Sequence, residues 1–443
     1  MFTAGAAEVV ITPPVGTFLE GYGARTSPSV AVHDDLCARA VVLDDGETRA
    51  ALAACDLIGI DRRLTASVRE RVAAATDIPG EHVMVCATHT HGGPAGLRAD
   101  VDPELTENTA RLIAGAIIAA HGRRRPAVVK AGHGAVDTVS QNRRDPAGPI
   151  DPAMTVVLLD SPAPHEPPIA SIVNFACHAT VLFHTNLEIS ADYPGYAVRT
   201  VKKVLGDAPV LFLNGACGDV NPVWIEQRFE EAERVGSIVG AEAARRLQEL
   251  RPLGAGQKAW NIRWEELTDK PVSTGRLIEE PSIRVVSHTV DVPLRRLDPP
   301  EEYERLLREL REEIDAASPT DVERRRALMA RWTRLAGERG VAGRIRPGGG
   351  TLHPEIQVIA LGDEVAILGL PGEFFSETGQ AIREAAGQEY LMVSCYTNHH
   401  VFYVVPHHAF DEGGYEPGVA VLDETADETF RRAAINLLNT IPS

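Results

Sequence analysis

The stretch Val83-Met84-Val85-Cys86-Ala87-Thr88-His89-Thr90-His91-Gly92-Gly93-Pro94 joins an apolar run to two histidines and a glycine-glycine-proline turn. The apolar run predicts a buried strand. Histidines spaced by two point to the same side wherever the extended geometry continues. The glycines and the proline end the strand and let the backbone come close to a ligand. This pattern predicts a functional site at the end of a strand.

Apolar runs rich in Val, Ile and Leu alternate with segments of helical period along the 443 residues. We predict strands at 38–43, 50–56, 82–88, 127–133, 154–160, 168–175, 209–213, 257–264, 284–291, 355–361 and 364–370, and helices at 63–77, 104–121, 194–205, 226–249, 302–315, 320–338, 376–386 and 425–440. The alternation predicts an α/β protein, with a mixed β-sheet core in two stacked sheets that helices flank. No internal repeat or low-complexity linker divides the chain, so we expect one domain over 1–443.

Residues 298–339 are dense in Glu and Arg at helical spacing and predict a helical insertion in this domain. The pattern is typical of a solvated hairpin, and the alternative interpretation is a lid over the site. The segment from Gly340 to Gly350 predicts a loop that returns to the core.

Charge and composition narrow the partners and the compartment. The formal net charge of −18 argues against nucleic acid or an anionic membrane surface as partner. No apolar run approaches the roughly 20 residues that span a bilayer, so we expect no stable membrane insertion. Met1–Glu8 shows no signal segment, and the six cysteines are scattered singly, which is typical of reduced thiols. We therefore expect a cytoplasmic protein, and the oligomeric state stays open.

Two further polar residues follow apolar runs. His178 follows the run Ile169–Ala176, and Glu373 follows Ile367–Leu370. A carboxylate in apolar surroundings needs a partner. Two histidines and a carboxylate suit zinc, with a further position for water or another oxygen ligand. The alternative is that these are ordinary histidines at strand ends and a glutamate that caps a helix. Metallo-β-lactamases and barrel amidohydrolases also use paired histidines, but neither family matches the surrounding sequence.

The motifs taken in order resemble the neutral ceramidase family of zinc amidases. They are Gly21-Tyr22-Gly23, His33–Ala40, Thr88–Pro94, Gln141-Asn142-Arg143, Asn174–Thr180, Asp192–Ala197, Asn214–Pro222, Pro371–Phe374 and a stretch around Tyr403. In that family one zinc ion per chain is held by two histidines, a glutamate and a tyrosine. The resemblance assigns these roles to His89, His178, Glu373 and Tyr403.

The resemblance also implies residues that act on the substrate. His91 would handle protons, and Tyr415, twelve residues after Tyr403, would contact the substrate. Arg143 would position or polarise the substrate, with a surface ion pair as the alternative. Ordinary packing is the alternative for both tyrosines.

One motif departs from the family, whose Gly-Asp-Val-Ser-Pro segment carries a serine. Here Asn221 stands in its place, in Gly218-Asp219-Val220-Asn221-Pro222. Asn221 offers a hydrogen bond to a developing oxyanion but is not a nucleophile. The nearby Cys217 has no assignable base, which argues against attack by a thiolate.

These observations predict a zinc-dependent hydrolase that cleaves an amide bond of a small molecule with a metal-activated water. We expect a soluble N-acyl or similar substrate in preference to ceramide, because of Asn221 and because we expect the catalytic domain alone. Acyl transfer, condensation or ester hydrolysis at the same metal site remain alternatives, as does a catalytically silent binding protein.

Overall fold

The computed structural model of the protein describes residues 1–98, 102–163, 166–251, 259–260, 267–268, 275–278, 281–343, 345 and 349–441. Three sheets of four or five strands form the centre of this described part. In spatial order, the N-terminal sheet contains Val83–Ala87, Arg49–Cys55, Cys37–Asp44, Thr3–Val10 and Arg125–Pro126. The central sheet contains Val210–Asn214, Ala170–Phe175, Ala153–Asp160, Val128–Ala135 and Arg276–Ile278. The C-terminal sheet contains Ile283–Thr289, Glu355–Leu361, Val365–Gly369 and Tyr390–Ser394.

Short two-stranded pairs and the helices complete the described structure. The pairs are Ala31–Val32 with Glu188–Ile189, Ser140–Asn142 with Val220–Pro222, Ala259–Trp260 with Leu267–Thr268, Val292–Pro293 with Thr351–Leu352, and Glu373–Phe374 with Tyr403–Val404. The α-helices are Arg62–Ala75, Pro103–Gly122, Asp192–Leu205, Phe229–Leu250, Pro300–Ala316, Val322–Ala342, Ser376–Ala385, His407–Glu412, Tyr415–Val419 and Ala426–Leu438, and Gly80–His82 is a 3₁₀ turn.

Each of the three sheets contains one parallel pair of strands. The pairs are Arg49–Cys55 with Val83–Ala87, Ala170–Phe175 with Val210–Asn214, and Val365–Gly369 with Tyr390–Ser394. Parallel strands end at the same edge of a sheet, so each pair places two strand-end loops side by side. These loops carry the candidate site.

The apolar core lies between the sheets and under the helices. Side chains of all three sheets meet in one cluster, which includes Leu52, Met84, Leu159, Leu211 and Ile367. The outer face of the central sheet is covered by Asp192–Leu205 and Phe229–Leu250, and the N-terminal sheet packs on Pro103–Gly122. This layering buries both faces of most strands, which explains their nearly continuous apolar sequences.

The predicted mixed α/β core with flanking helices is confirmed. The prediction missed the strands Tyr390–Ser394 and Arg276–Ile278, because short runs without alternation give little periodic signal. Of the predicted strand 257–264, only Ala259–Trp260 lies within the described residues. The expected loop from Gly340 to Gly350 also lies partly outside them.

Two helices, Pro300–Ala316 and Val322–Ala342, occupy the predicted insertion and pack against each other around a small core of their own. The second helix also packs against Tyr415–Val419. We call these two helices the helical hairpin. The division of the chain as one domain over 1–443 stays a prediction. Among the described residues, every helix is too short or too polar to cross a bilayer.

A buried ion pair anchors the end of strand Arg49–Cys55. Asp56 accepts hydrogen bonds from Arg39 Nη1 at 2.8 Å and from the Cys37 backbone N–H at 2.9 Å. Both side chains are almost fully buried, at 6% and 1% exposure for Arg39 and Asp56. Arg39 also pairs with Glu8 at 2.7 Å, but Glu8 is 28% exposed, so removing Asp56 leaves the buried Arg39 charge only partly compensated.

We therefore expect Asp56→Ala to lower the free energy of unfolding by about 3–5 kcal/mol. Asp363→Ala is the matched control, because Asp363 pairs with Arg284 on the surface and such pairs contribute about 0–1 kcal/mol. Urea unfolding of both variants measures the difference. Equal losses of stability in the two variants would contradict the role of burial.

Candidate metal centre

His89 lies just beyond strand Val83–Ala87 and is held by the neighbouring loop of its parallel pair. Its backbone N–H donates to Leu57 O at 2.9 Å, and its Nδ1 donates to Ile58 O at 2.6 Å. The residue is fully buried and has a φ of 68°, a left-handed conformation that is costly for a residue with a Cβ. The ring is therefore fixed in one orientation with Nε2 pointing away from its carbonyl partner.

His178 repeats this arrangement in the central sheet. It follows strand Ala170–Phe175, and its Nδ1 lies 2.6 Å from Cys217 O in the loop after the parallel strand Val210–Asn214. Asn214 joins the two histidine loops, because its side chain donates to Thr88 O at 3.1 Å and accepts from the Cys177 N–H at 3.3 Å. Both imidazoles are thus oriented by backbone carbonyl oxygens.

Glu373 comes from the third sheet. It follows strand Val365–Gly369, and its backbone N–H donates to Phe402 O at 2.9 Å. Its Oε2 lies 3.3 Å from His178 Nε2 and 3.5 Å from His89 Nε2. The three sequence-predicted residues therefore meet at one buried point, each delivered by the end of a strand in a different sheet.

The hydrogen positions decide what this meeting point could hold. A neutral histidine that donates from Nδ1 has a bare lone pair on Nε2. Both Nε2 atoms therefore face a carboxylate oxygen with no hydrogen between them. Within the described residues, His178 Nε2 and Glu373 Oε2 are buried without a hydrogen-bond partner. Two bare imidazole nitrogens and a carboxylate oxygen fit a divalent cation such as zinc.

Tyr403 lies beside Glu373, because the two residues pair in a short parallel bridge. The Tyr403 hydroxyl accepts a hydrogen bond from Arg143 Nη2 at 2.9 Å. Arg143 also donates to Glu416 at 2.7 Å and to Asn221 Oδ1 at 3.3 Å. Burial raises the pKa of Tyr403 well above its ordinary value, while the Arg143 charge acts in the opposite direction. The predicted Arg143 and Asn221 are thus joined to Tyr403 in one polar network.

His91 completes the group. Its Nε2 lies 3.3 Å from His89 Nε2, and its Nδ1 is buried without a hydrogen-bond partner among the described residues. The ligand atoms of His89, His91 and His178 all lie within 4.8 Å of one another. Burial, with His89 and His178 nearby, lowers the pKa of His91 well below its ordinary value.

Two cavities open onto this centre. One of about 860 Å³ is lined by His91, Glu373 and Tyr403 together with Ala336 and Gly337 of the helical hairpin. The other, of about 490 Å³, is lined by His91, His178, Arg143, Asn221 and the aromatic side chains of Phe183 and Trp224. Tyr415, which is 52% exposed, lines both. Cavities of this size accommodate small molecules.

The sequence matches known proteins in the part that carries most of these residues. Residues 2–222 match the family described as neutral/alkaline non-lysosomal ceramidase, N-terminal. The chain belongs to the neutral/alkaline non-lysosomal ceramidase family. A neutral ceramidase of Mycobacterium tuberculosis is 27% identical over 285 residues, which cover 53% of this chain. The match spans 44% of that relative, less than half of its length.

Two solved structures share the fold of this neutral ceramidase family member. The crystal structure of neutral ceramidase from Pseudomonas aeruginosa superposes with a TM-score of 0.70 at 19% identity, over 100% of this chain and 75% of the other. A structure described as ceramidase complexed with C2 gives a TM-score of 0.71 at 18% identity, over 99% and 74% of the two chains. At this identity the likeness shows the fold alone.

The sequence interpretation of this ceramidase family member missed several groups at the centre. His400 Nε2 lies 3.2 Å from Glu373 Oε1, and Arg98 Nη1 lies 3.5 Å from the same oxygen. Arg98 is paired with Glu20 at 2.8 Å, and the Tyr396 ring stacks on His89 with 3.9 Å between ring centroids. His400, Arg98 and Tyr396 lie in loops without periodic spacing. The one available signal was the pair His399-His400 shortly before Tyr403.

The electrostatics favour an ionised Glu373 beside neutral His178 and His400. Burial alone raises the pKa of Glu373, but His89, His178 and His400 outweigh burial and hold this pKa well below its ordinary value. Burial, aided by Arg143, lowers the pKa of His178 to about 4. Burial and Arg98 lower the pKa of His400 to about 3.

We expect the chelator-treated protein to lose stability between about pH 7.5 and about pH 5. In the unfolded chain a histidine takes up its proton near pH 6.5, whereas in the folded protein the pKa of His178 is about 4. The contribution of His178 to the free energy of unfolding is therefore fully present above pH 6.5, the pKa of histidine in the unfolded chain, and decreases as the pH drops below that value. His178 alone accounts for about 2 kcal/mol over this range.

Urea unfolding at the two pH values measures this loss. The matched variant His178→Gln lacks the titrating ring, so its stability should decline less steeply than that of the unmodified protein. An identical pH dependence in both proteins would show that His178 does not carry the effect.

Proposed function

We propose that the protein is a zinc-dependent hydrolase that cleaves the amide bond of an N-acyl substrate. The observation that carries the proposal is the pair of buried acceptors, His178 Nε2 and Glu373 Oε2, 3.3 Å apart without a hydrogen between them. Membership of the ceramidase family and a curated relative named neutral ceramidase support amide hydrolysis.

In this proposal His89, His178, Glu373 and Tyr403 hold the zinc ion. When bound, zinc supplies a Lewis acid that polarises a carbonyl and lowers the pKa of water. A set of three histidines, with His91 as the third, is the competing arrangement. We favour Glu373 and Tyr403, because metal-binding histidines donate their other ring N–H to an orienting group. His89 and His178 do so, whereas Nδ1 of His91 has no such partner among the described residues.

The surrounding side chains supply proton transfer and charge stabilisation. Burial lowers the pKa of His91 and keeps its ring neutral. Its Nδ1, which has no partner among the described residues, would accept the proton of the attacking water and deliver it to the leaving amine. Asn221 accepts from Arg143 through Oδ1, which leaves its Nδ2 group as the donor for a developing oxyanion. Tyr415 lines both cavities, and its phenolic hydroxyl is a second donor for the developing oxyanion. Arg143 keeps its charge at every working pH and holds the Tyr403 oxygen in place.

The substrate class follows from the cavities and the relatives. Aromatic side chains such as Phe183 and Trp224 line the smaller cavity. The larger cavity combines polar groups such as Glu20 and Arg98 with aliphatic side chains that suit an acyl chain, among them Ile58, Leu105 and Val341. The name of the curated relative supports an amide of the ceramide type. Asn221, in place of the family serine, favours more soluble N-acyl amides, so both kinds belong in the substrate panel.

We expect purified protein to carry about one zinc ion per chain. His89→Ala and His178→Ala should each remove the metal and reduce amide hydrolysis to background, because each deletes a ligand. His133→Ala is the matched control, since His133 lies in the central sheet away from the centre and bonds Glu389 O. Elemental analysis and hydrolysis of an amide panel measure the two effects.

Other outcomes of these assays would redirect the proposal. Carefully prepared protein without stoichiometric zinc would refute it. Product formation that requires an amine acceptor would indicate acyl transfer, and metal without turnover on amides or esters would indicate a binding protein.

A separate prediction distinguishes the two ligand sets. His91→Ala should keep the zinc ion while the rate of hydrolysis falls by about 10²–10⁴-fold, the usual loss when a general acid–base group is removed. Zinc content and kcat measured on the same preparation test this. Loss of zinc from His91→Ala would assign His91 to the ligands instead.

A further inference from the structure

The ring of His400 has the opposite tautomer to His89 and His178. The backbone N–H of Phe402 donates to His400 Nδ1 at 3.2 Å. An acceptor nitrogen cannot carry a hydrogen, so the hydrogen of this imidazole is on Nε2. Nε2 lies 3.2 Å from Glu373 Oε1, but its N–H is directed obliquely to that oxygen and makes no hydrogen bond among the described residues. His400 therefore presents a donor to Glu373, where His89 and His178 present lone pairs.

The two oxygens of the Glu373 carboxylate thus have different surroundings. Oε1 faces N–H groups of His400 at 3.2 Å and of Arg98 at 3.5 Å. Oε2 faces the bare Nε2 atoms of His178 and His89 at 3.3 and 3.5 Å. Oε1 accepts a hydrogen bond from Arg98 and has the His400 N–H close beside it, which favours its negative charge, while Oε2 stays available to a cation.

Close packing fixes the His400 ring where it makes this contact. The ring is fully buried and lies nearly parallel to Tyr396, with centroids 5.8 Å apart, while the Phe402 ring meets it edge-on at 5.4 Å. A Cβ at Gly59 would come within 2.7 Å of the ring, so the Gly59 backbone forms its other side. The ring has little freedom to turn away from Glu373.

We propose that His400 is a positioning residue that engages Oε1 of Glu373, so that the carboxylate binds the metal through Oε2 alone. The inference rests on the proposed function, because it concerns the same metal site. Arg98 assists from the other side of Oε1 and is itself held by Glu20 at 2.8 Å. Neither His400 nor Arg98 binds the metal in this arrangement. Loss of the His400 donor leaves Oε1 held by Arg98 alone at 3.5 Å, so that Oε1 can turn towards the metal as a second ligand atom.

The first experiment measures zinc affinity by competition with a chelator. His400→Leu removes the donor and should weaken zinc binding about 10–100-fold, the usual effect of deleting a group that orients a ligand. His400→Gln keeps an N–H donor at similar reach and should stay within about threefold of the unmodified protein. His399→Leu, on the same loop, should leave the affinity unchanged.

The second experiment reads the coordination directly by substituting cobalt(II) for zinc. Four-coordinate cobalt absorbs visible light more strongly than five-coordinate cobalt. In His400→Leu the freed Oε1 raises the coordination number, so the visible band should weaken and shift. His400→Gln and His399→Leu should keep the spectrum of the unmodified protein.

Two results would overturn the proposal. One is unchanged affinity and spectrum in His400→Leu. The other is an equal loss in His400→Gln and His400→Leu, which would mean that the ring acts through packing. If His400→Leu does not fold, His400→Asn, which is polar but too short to reach Oε1, carries the same expectation. Absence of zinc from the unmodified protein would instead refute the proposed function, so the two failures are distinguishable.

Discussion

Two histidine lone pairs face a carboxylate oxygen in the interior of this protein, and the backbone makes that arrangement unavoidable. His89 and His178 each commit their ring hydrogen to a carbonyl oxygen 2.6 Å away, so neither has a hydrogen to offer Glu373. Arg98 offsets the charge of the buried Glu373 carboxylate from the Oε1 side, whereas Oε2 is buried without a hydrogen-bond partner among the described residues. The loops around the centre must therefore hold together three ligand atoms that do not attract one another, an arrangement that the proposed cation would stabilise.

The three sheets hold these groups with the same arrangement of strands and loops, which occurs once in each sheet. In each sheet a parallel pair of strands ends at the centre, and one loop supplies the ligand while its neighbour supplies the group that holds it. Ile58 O holds His89, Cys217 O holds His178, and the loop after Tyr390–Ser394 holds Glu373. Backbone strain gathers at the same place, because His89, Tyr396, Asn398 and Phe402 have positive φ values in these loops. Strain of about 1–3 kcal/mol per residue persists only where surrounding packing enforces it.

The parts of this arrangement that were predictable from sequence are those that follow from strand periodicity. His89, His178 and Glu373 each come directly after an apolar run, so their position at a sheet edge followed from the pattern, and the resemblance to a family joined them. His400 and Arg98 have no such marker, because their role depends on which loops the parallel pairs bring together. The tautomers of these histidines were equally unpredictable from sequence. For His89 and His178 the tautomer is set by carbonyl groups 31 and 39 residues away along the chain. For His400 it is set by the N–H of Phe402, a near neighbour.

The helical hairpin contributes to the larger cavity but to none of the proposed ligands. Ala336, Gly337 and Gly340 form part of the cavity wall, while the rest of the hairpin packs around its own apolar cluster. Substitutions on this inner surface alter the size of the cavity and leave the carbonyl groups that hold the histidines in place. One wall of the larger cavity therefore belongs to a segment that is separate from the proposed ligands and from the smaller cavity. Changes in the hairpin, natural or by directed evolution, can alter the space for a substrate on that side while the proposed metal chemistry is retained.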